Sequence, residues 1–275
     1  MKRIVRTRAV LLLLALAVPA SASAQLLAAK EGPLVYGHHH LNVSNVEESR
    51  QFWLMLGGAP FTFGTVQGLK LPNVLILLAQ RAPTGGSKGS TADHIGLNVR
   101  DLRATLEKVR AGGYRIVTKE EMPAGMEARF DGDIAVLTGR NLSIAFVMGP
   151  EGQKVELVEN TDMATPVALG HVHLAGPDVP AMRAWYEKIF GPKIPGVSLA
   201  YKAAADTVGT KGRVVDHVGF EVRDLEAFCK KLEAMGITFD RPYARLAAVN
   251  NLGLAFISDP WGTSIELTEG FATVE

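Results

Sequence analysis

The sequence predicts an α+β protein built from four related units, each opening on a strand, passing into a helix and returning through further strands. In VDHVGFEVRDL (215–225) residues alternate with the period of a strand, so that Val215, His217, Gly219 and Glu221 share one face. Directly after it, Leu225, Phe228, Leu232 and Met235 fall at helical spacing and Gly236 supplies a stop. The opening recurs as ADHIGLNVRDL (92–102), GHHHLNV (37–43) and GHVHLAG (170–176), which gives four units in the order A, B, A′, B′. All seven histidines (His38, His39, His40, His94, His171, His173 and His217) lie in these opening strands, where random placement would scatter them.

Module A runs from 34 to about 83. A strand through the three histidines leads to a helix at about 46–56, a Gly57-Gly58 stop and strands near 61–65 and 74–79. Its closing run NVLILLAQ carries no carboxylate. TGGSKGS (84–90) is loop by composition. Module B (91–160) has a helix at 102–111 followed by Gly112-Gly113, and it is longer than B′: His94 to Glu156 spans 62 residues against 49 from His217 to Glu266. The extra length falls at 120–132, read as a lid or rim loop. Residues 161–169 form the expected boundary between a first domain at 34–160 and a second at 170–271. Module A′ has a helix at 179–190 ended by Gly191-Pro192, and its later strands are hard to find in VSLAYKAAADTVGTKG. Module B′ begins at 214.

Parity sorts the histidines: His38 and His40 share one face, His39 points the other way, and His171 and His173 repeat the first arrangement. In B′ the turn through Asp259, Pro260 and Gly262 precedes a strand with Glu266 near its middle. A buried carboxylate there is costly unless something positive compensates it, and a metal shared with His217 would do so. AFVMGPEGQKVELVEN (145–160) repeats the close with Glu156 in the same place.

The chain begins with Lys2, Arg3, Arg6 and Arg8, an apolar run at 9–18 and Ala22-Ser23-Ala24, the pattern of a secretory signal peptide (1–24) cut after Ala24. It predicts a periplasmic or secreted protein. The remaining chain carries 25 Lys and Arg against 28 Asp and Glu, a formal charge of −3, with no basic patch suited to nucleic acid and no segment for a membrane after cleavage. Cys229 is the only cysteine, so no disulfide forms within the chain; beside Phe228 and Leu232 it reads as a buried structural thiol.

A strand beginning D-H-hydrophobic-G, a helix, and a closing D-P-x-G-x-x-x-E-L strand resemble the βαβββ module of the vicinal oxygen chelate superfamily, which includes glyoxalase I, extradiol dioxygenases and fosfomycin and bleomycin resistance proteins. The resemblance covers about residues 34–271. It implies four βαβββ modules paired into two half-open β-barrel domains with helices outside, and a divalent metal ion (Fe, Mn, Zn or Ni) on the concave face. Carried over by position, an A/B pair offers His38, His94 and Glu156, and an A′/B′ pair offers His171, His217 and Glu266. Each is a set of two imidazoles and one carboxylate that leaves coordination positions for substrate. By analogy with extradiol enzymes the second pair is favoured.

His40 and His173, one strand step from these ligands on the same face, are candidate proton-transfer residues. Tyr243 is a third catalytic candidate, and Arg241 and Arg245 lie in the same stretch. Gly96 and Gly219 are expected to leave room above the metal. The chain departs from ring-cleaving extradiol enzymes before the closing turn, where RLAAVNNLGLAFISDP lacks their histidine and has Phe256 where their tyrosine stands. The expected function is a metal-dependent enzyme acting on a small oxygen-bearing organic substrate, extradiol-dioxygenase-like or glyoxalase/lyase-like. The alternative is a non-catalytic binding or sequestering protein of the bleomycin-resistance type, which Trp53, Trp185 and Tyr186 favour if they face the pockets, although helix aromatics beside Leu56 and Ile189 usually belong to the core. Exchange of modules between two chains, giving a homodimer, is also open.

Overall fold

A computed structural model describes residues 34–274 apart from 124 and 196. The expected signal peptide, its cleavage after Ala24 and the following tether lie outside the described residues. Module A comprises β1 (Leu34–Val43), α1 (Val46–Met55), β2 (Ala59–Phe63), β3 (Val66–Leu71) and β4 (Val74–Gln80). Module B comprises β5 (Ala92–Val99), α2 (Leu102–Ala111), β6 (Arg115–Ile116), α3 (Thr118–Glu121), β7 (Ala128–Asp131), β8 (Ile134–Leu137), β9 (Leu142–Met148) and β10 (Lys154–Glu159). Module A′ has β11 (Val167–Gly176), α4 (Val179–Phe190) and β12 (Ser198–Ala203). Module B′ has β13 (Val215–Val222), α5 (Leu225–Ala234), β14 (Phe239–Leu246), β15 (Leu252–Ser258) and β16 (Ser264–Glu269).

The four long helices start by one device. Asn45, Asp101, Asp178 and Asp224 sit at the N-caps, and each side chain accepts a backbone N–H from three residues ahead. A cap of this kind contributes about 1 kcal/mol and tells the chain where strand becomes helix. Gly113 and Gly236, just past α2 and α5, take positive φ (77° and 79°), a conformation that costs other residues energy and stops the helix.

Two eight-stranded sheets result. The first has the order β14-β15-β16-β13-β1-β4-β3-β2; the second runs β12-β11-β5-β10-β9-β8-β7, with β6 beside β9. The opening strands meet antiparallel at the centre of each, β1 with β13 and β11 with β5. Module A is therefore joined to B′, and B to A′. The expected pairing of A with B and of A′ with B′ does not occur. The strand patterns are so alike that either docking satisfies local register, and the choice rests on how whole faces pack. Strand β11 begins at Val167, inside the expected boundary segment, so the sheets do not divide the chain at 161–169.

One apolar core serves both sheets. Phe52 and Trp53 of α1, Tyr186 and Phe190 of α4, Leu97 of β5 and Phe220 of β13 all belong to it. Phe190 of module A′ stacks on Phe220 of module B′ with ring centroids 4.2 Å apart, tying the second sheet's helix to the first sheet's central strand. Trp53 and Tyr186 are buried here and Trp185 packs against the same core, so none of the three lines a concave face. Cys229 is buried in α5, where burial first and then the charge of Glu233 push its thiol up to about 11, as fits a structural cysteine. No helix among the described residues is long and apolar enough to cross a membrane.

A shared core makes unfolding of the two sheets one event. Truncation of Phe190 to alanine removes about 3–5 kcal/mol, and calorimetry is expected to show the whole transition moving to lower temperature. A second transition left at the original midpoint would mean two independent domains.

Candidate metal centre

Strand register builds the site. In the second sheet β5 lies between β11 and β10, and Gly96 is opposite His171 on one side and Glu156 on the other. One step along, His94 faces His173. The first sheet repeats this: Gly219 lies between His38 and Glu266, and His217 faces His40. Strands two apart are separated by about 10 Å, so an imidazole and a carboxylate meet only by leaning over the strand between them. The glycine permits this. A Cβ at Gly96 would fall inside the His171 ring, and one at Gly219 inside the His38 ring. The space expected above a metal is occupied by the partner module's imidazole.

The donor atoms converge. His94 Nε2 and His171 Nε2 each lie 3.0 Å from Glu156 Oε2. His38 Nε2 and His217 Nε2 each lie 2.9 Å from Glu266 Oε2. In both groups all donor atoms lie within 4.8 Å of one another, and the second sheet's group also includes His173, whose Nδ1 is 3.1 Å from His94 Nε2. Each set suits a divalent cation, which borderline nitrogen donors and one carboxylate bind well. His40 packs on His217 with centroids 4.5 Å apart but is outside the converging set.

The aspartate of each D-H pair orients the ring. His94 Nδ1 is 2.7 Å from Asp93 Oδ1 and His217 Nδ1 is 2.7 Å from Asp216 Oδ1. An N–H on Nδ1 donates to the aspartate and turns Nε2 toward the glutamate, the usual support for a ligating histidine. Asp93 is held in turn by Lys154 and by Lys202, whose Nζ is 3.3 Å from Oδ2. Asp216 accepts from the Asn42 amide at 2.9 Å and the Gly212 N–H at 2.7 Å.

These contacts set the protonation states of the metal-free chain. Burial would raise Glu156 and Glu266, but their imidazole hydrogen bonds outweigh it and hold both well below the carboxylate range. Burial would lower His217, but hydrogen bonds to Asp216 and Glu266 push it up to about 9. His173 and His40 are lowered to about 3, by burial first and then by the neighbouring histidines, so both are neutral over the physiological range.

The structure regroups the residues expected from sequence. His38 joins His217 and Glu266; His171 joins His94 and Glu156. The expected sets, His38 with His94 and Glu156 and His171 with His217 and Glu266, are not brought together, because the opening strands pair A with B′ and B with A′. Among the described residues the favoured A′/B′ set of His171, His217 and Glu266 accordingly does not come together. Tyr243 does not join a catalytic group: it packs against the helix-side core beside Gly253, with Arg245 5.9 Å from its ring centroid. Arg245 pairs with Glu269 at 2.7 Å, and Arg241 is exposed opposite Phe256. Phe256 stands edge-on to His217 at 5.1 Å, as Phe146 does to His94 at 5.5 Å.

Only the second sheet's centre opens on a substantial cavity among those described, a space of about 610 Å³ lined by His94, Glu156, His171 and His173 together with Lys154, Lys202, Arg140, Glu121 and an apolar wall including Leu142, Ile144 and Phe146. Its volume is that of a small-molecule site. The inserted segment supplies Glu121, Pro123 and Met126 to the cavity lining, but it is not the loop expected at 120–132: α3 ends at Glu121 and Ala128–Asp131 form the edge strand β7. Sequence reasoning missed Lys154 and Lys202. Lys154, two residues before Glu156 and so on its face, was legible by parity; Lys202 reaches the site only through the β11–β12 pairing.

No family model matches the chain, and no curated protein matches it. Among solved structures, a point mutant of glyoxalase I from Zea mays superposes with a TM-score of 0.64 at 16% identity, over 86% of this chain and 94% of that one. Glyoxalase I from Zea mays itself gives 0.61 at 17% identity, over 86% and 92%. A structure described as a "putative dioxygenase" from Bacillus subtilis gives 0.58 at 14% identity, over 87% of each chain. At these identities the likeness is one of fold. The chain has the fold of these structures, and among its described residues two His/Glu groups could hold a metal ion.

The ladder predicts that Gly96→Ala displaces His171 and abolishes the cation held with His94 and Glu156, while Gly219→Ala does the same at His38, His217 and Glu266. Metal per folded chain, measured by mass spectrometry on each variant, checks this.

Proposed function

We propose that the chain is a metal-dependent enzyme of the vicinal oxygen chelate type, acting at His94, Glu156 and His171 on a small organic substrate with adjacent oxygens. The reaction is extradiol-dioxygenase-like or glyoxalase/lyase-like. The observation that carries this reading is that this donor set, and not its counterpart, faces the cavity of about 610 Å³. A bound divalent ion (Fe, Mn, Zn or Ni) supplies Lewis acidity toward substrate oxygens.

The chain's own residues do the rest. Asp93, anchored by Lys154, keeps the His94 Nε2 turned into the site. His173 stays neutral and presents a ring nitrogen that can accept a hydrogen bond from a substrate hydroxyl. Taking the proton outright requires negative charge to develop beside it, because burial and the neighbouring histidines make it a weak base at rest. Leu142, Ile144 and Phe146 exclude water along one wall, which strengthens each polar contact inside. His40 is left with a packing role. Chains that carry the 1–24 leader pattern are directed out of the cytoplasm; a mature N-terminus at Gln25 in the periplasmic fraction supports that part of the reading.

In the test, protein purified without a histidine tag is analysed for metal and assayed against vicinal diols, hydroxyketones and diketones. Turnover is expected to fall roughly a hundredfold or more in His94→Ala and Glu156→Ala and to survive His217→Ala. Unchanged turnover in both second-sheet variants sinks the proposal. The apolar wall favours one second reading, a sequestering protein. It predicts ligand affinity that survives EDTA and no turnover in any assay.

A further inference from the structure

The two donor sets share a ladder but not a cover. On β13, Glu221 follows His217 and Gly219 on the same face; on β5 the equivalent position is Asn98, which lines the open cavity. Glu221 is 2% exposed and its carboxylate is fully engaged. Oε1 accepts the backbone N–H of Gly270 at 2.7 Å and of Ala272 at 3.1 Å, and Oε2 accepts the Thr268 hydroxyl at 2.7 Å. These bonds pin the turn Phe271–Thr273 across the concave face.

Phe271, 1% exposed, stands edge-on to His38 at 5.5 Å and to Phe63 at 5.3 Å. Phe61, Leu75, Leu77, Val249, Leu252 and Val274 complete a separate apolar cluster there. Beneath it His38 is wholly buried and its Nδ1 has no hydrogen-bond partner. The cover falls on His38, wholly buried where its counterpart His171 borders the open cavity; His217 and Glu266 keep 5% and 7% of their surface exposed. Three protein ligands would replace part of a divalent cation's hydration shell and leave the remaining position to a retained water, and Glu266 with the Asp216 behind His217 would offset its charge in surroundings that would not tolerate it bare.

We propose that His38, His217 and Glu266 hold a divalent cation as a covered structural centre whose release is slowed by the 271–273 turn, while the His94 centre, bordering the cavity, exchanges faster. This rests on the functional reading only in taking both donor sets to bind a divalent cation, and it needs no turnover at either.

The test loads the full chain with Zn(II) and follows its release to excess EDTA with a zinc-sensitive dye. Two classes are expected, the slower by about tenfold or more. Glu156→Gln should remove only the fast class and Glu266→Gln only the slow one. Glu221→Gln and Phe271→Ala should each speed the slow class by about tenfold without changing the fast one. Phe271→Leu, which keeps apolar volume, serves if the alanine variant fails to fold by circular dichroism. The proposal is overturned if folded Glu156→Gln protein holds no zinc, if it releases zinc at the fast rate, or if neither opened turn accelerates release. Loss of the catalytic reading would show instead as absent turnover with both release classes intact.

Discussion

An imidazole lying over a glycine is the contact on which the rest of the structure depends. Glu156 and His171 stand on strands separated by β5, and Glu266 and His38 on strands separated by β13. Any side chain larger than hydrogen at Gly96 or Gly219 would occupy the space through which the two donors meet. The D-H-x-G opening is therefore one device with three parts. The aspartate orients the histidine, the histidine supplies a ligand, and the glycine admits a second ligand from another module. The third part works only when a second opening strand lies antiparallel alongside.

That docking explains why the fold is an interleaving of modules and not two consecutive halves. Once β1 zips to β13, the first and last modules share a sheet and the two middle modules share the other. The helices of both sheets then fall on common ground, and Phe190 and Phe220 meet across it. The shared core is what couples the two sheets, while each concave site is built inside one sheet from residues distant in sequence.

Symmetric origins have led to unlike environments. Asn98 against Glu221 is a small change at one ladder position, yet the glutamate gathers two backbone N–H groups and a hydroxyl that bring a covering turn down, while the asparagine leaves the face open. The inserted segment then furnishes the open face with a rim. The buried carboxylates Glu156 and Glu266 carry the same logic into electrostatics: each is kept ionised by two imidazoles, which is the condition a metal-binding carboxylate must meet before the metal arrives.

Local chemistry determined much of this from sequence alone. Apolar spacing and terminal glycines marked the helices within a residue or two, and parity sorted the strand histidines by face, because side-chain direction in a strand depends only on position; the resemblance implied that His38, His94, His171, His217, Glu156 and Glu266 turn toward a metal. It did not reveal β3, which a tight turn at Asn73 folds back on β4, nor assign β12. Tertiary structure alone decided which histidine meets which glutamate, and that one centre is open and the other covered. Four opening strands with nearly the same alternation present nearly the same edge. Choice among them comes from the packing of whole faces and from a covering turn held by one distant carboxylate, and neither leaves a periodic trace along the chain.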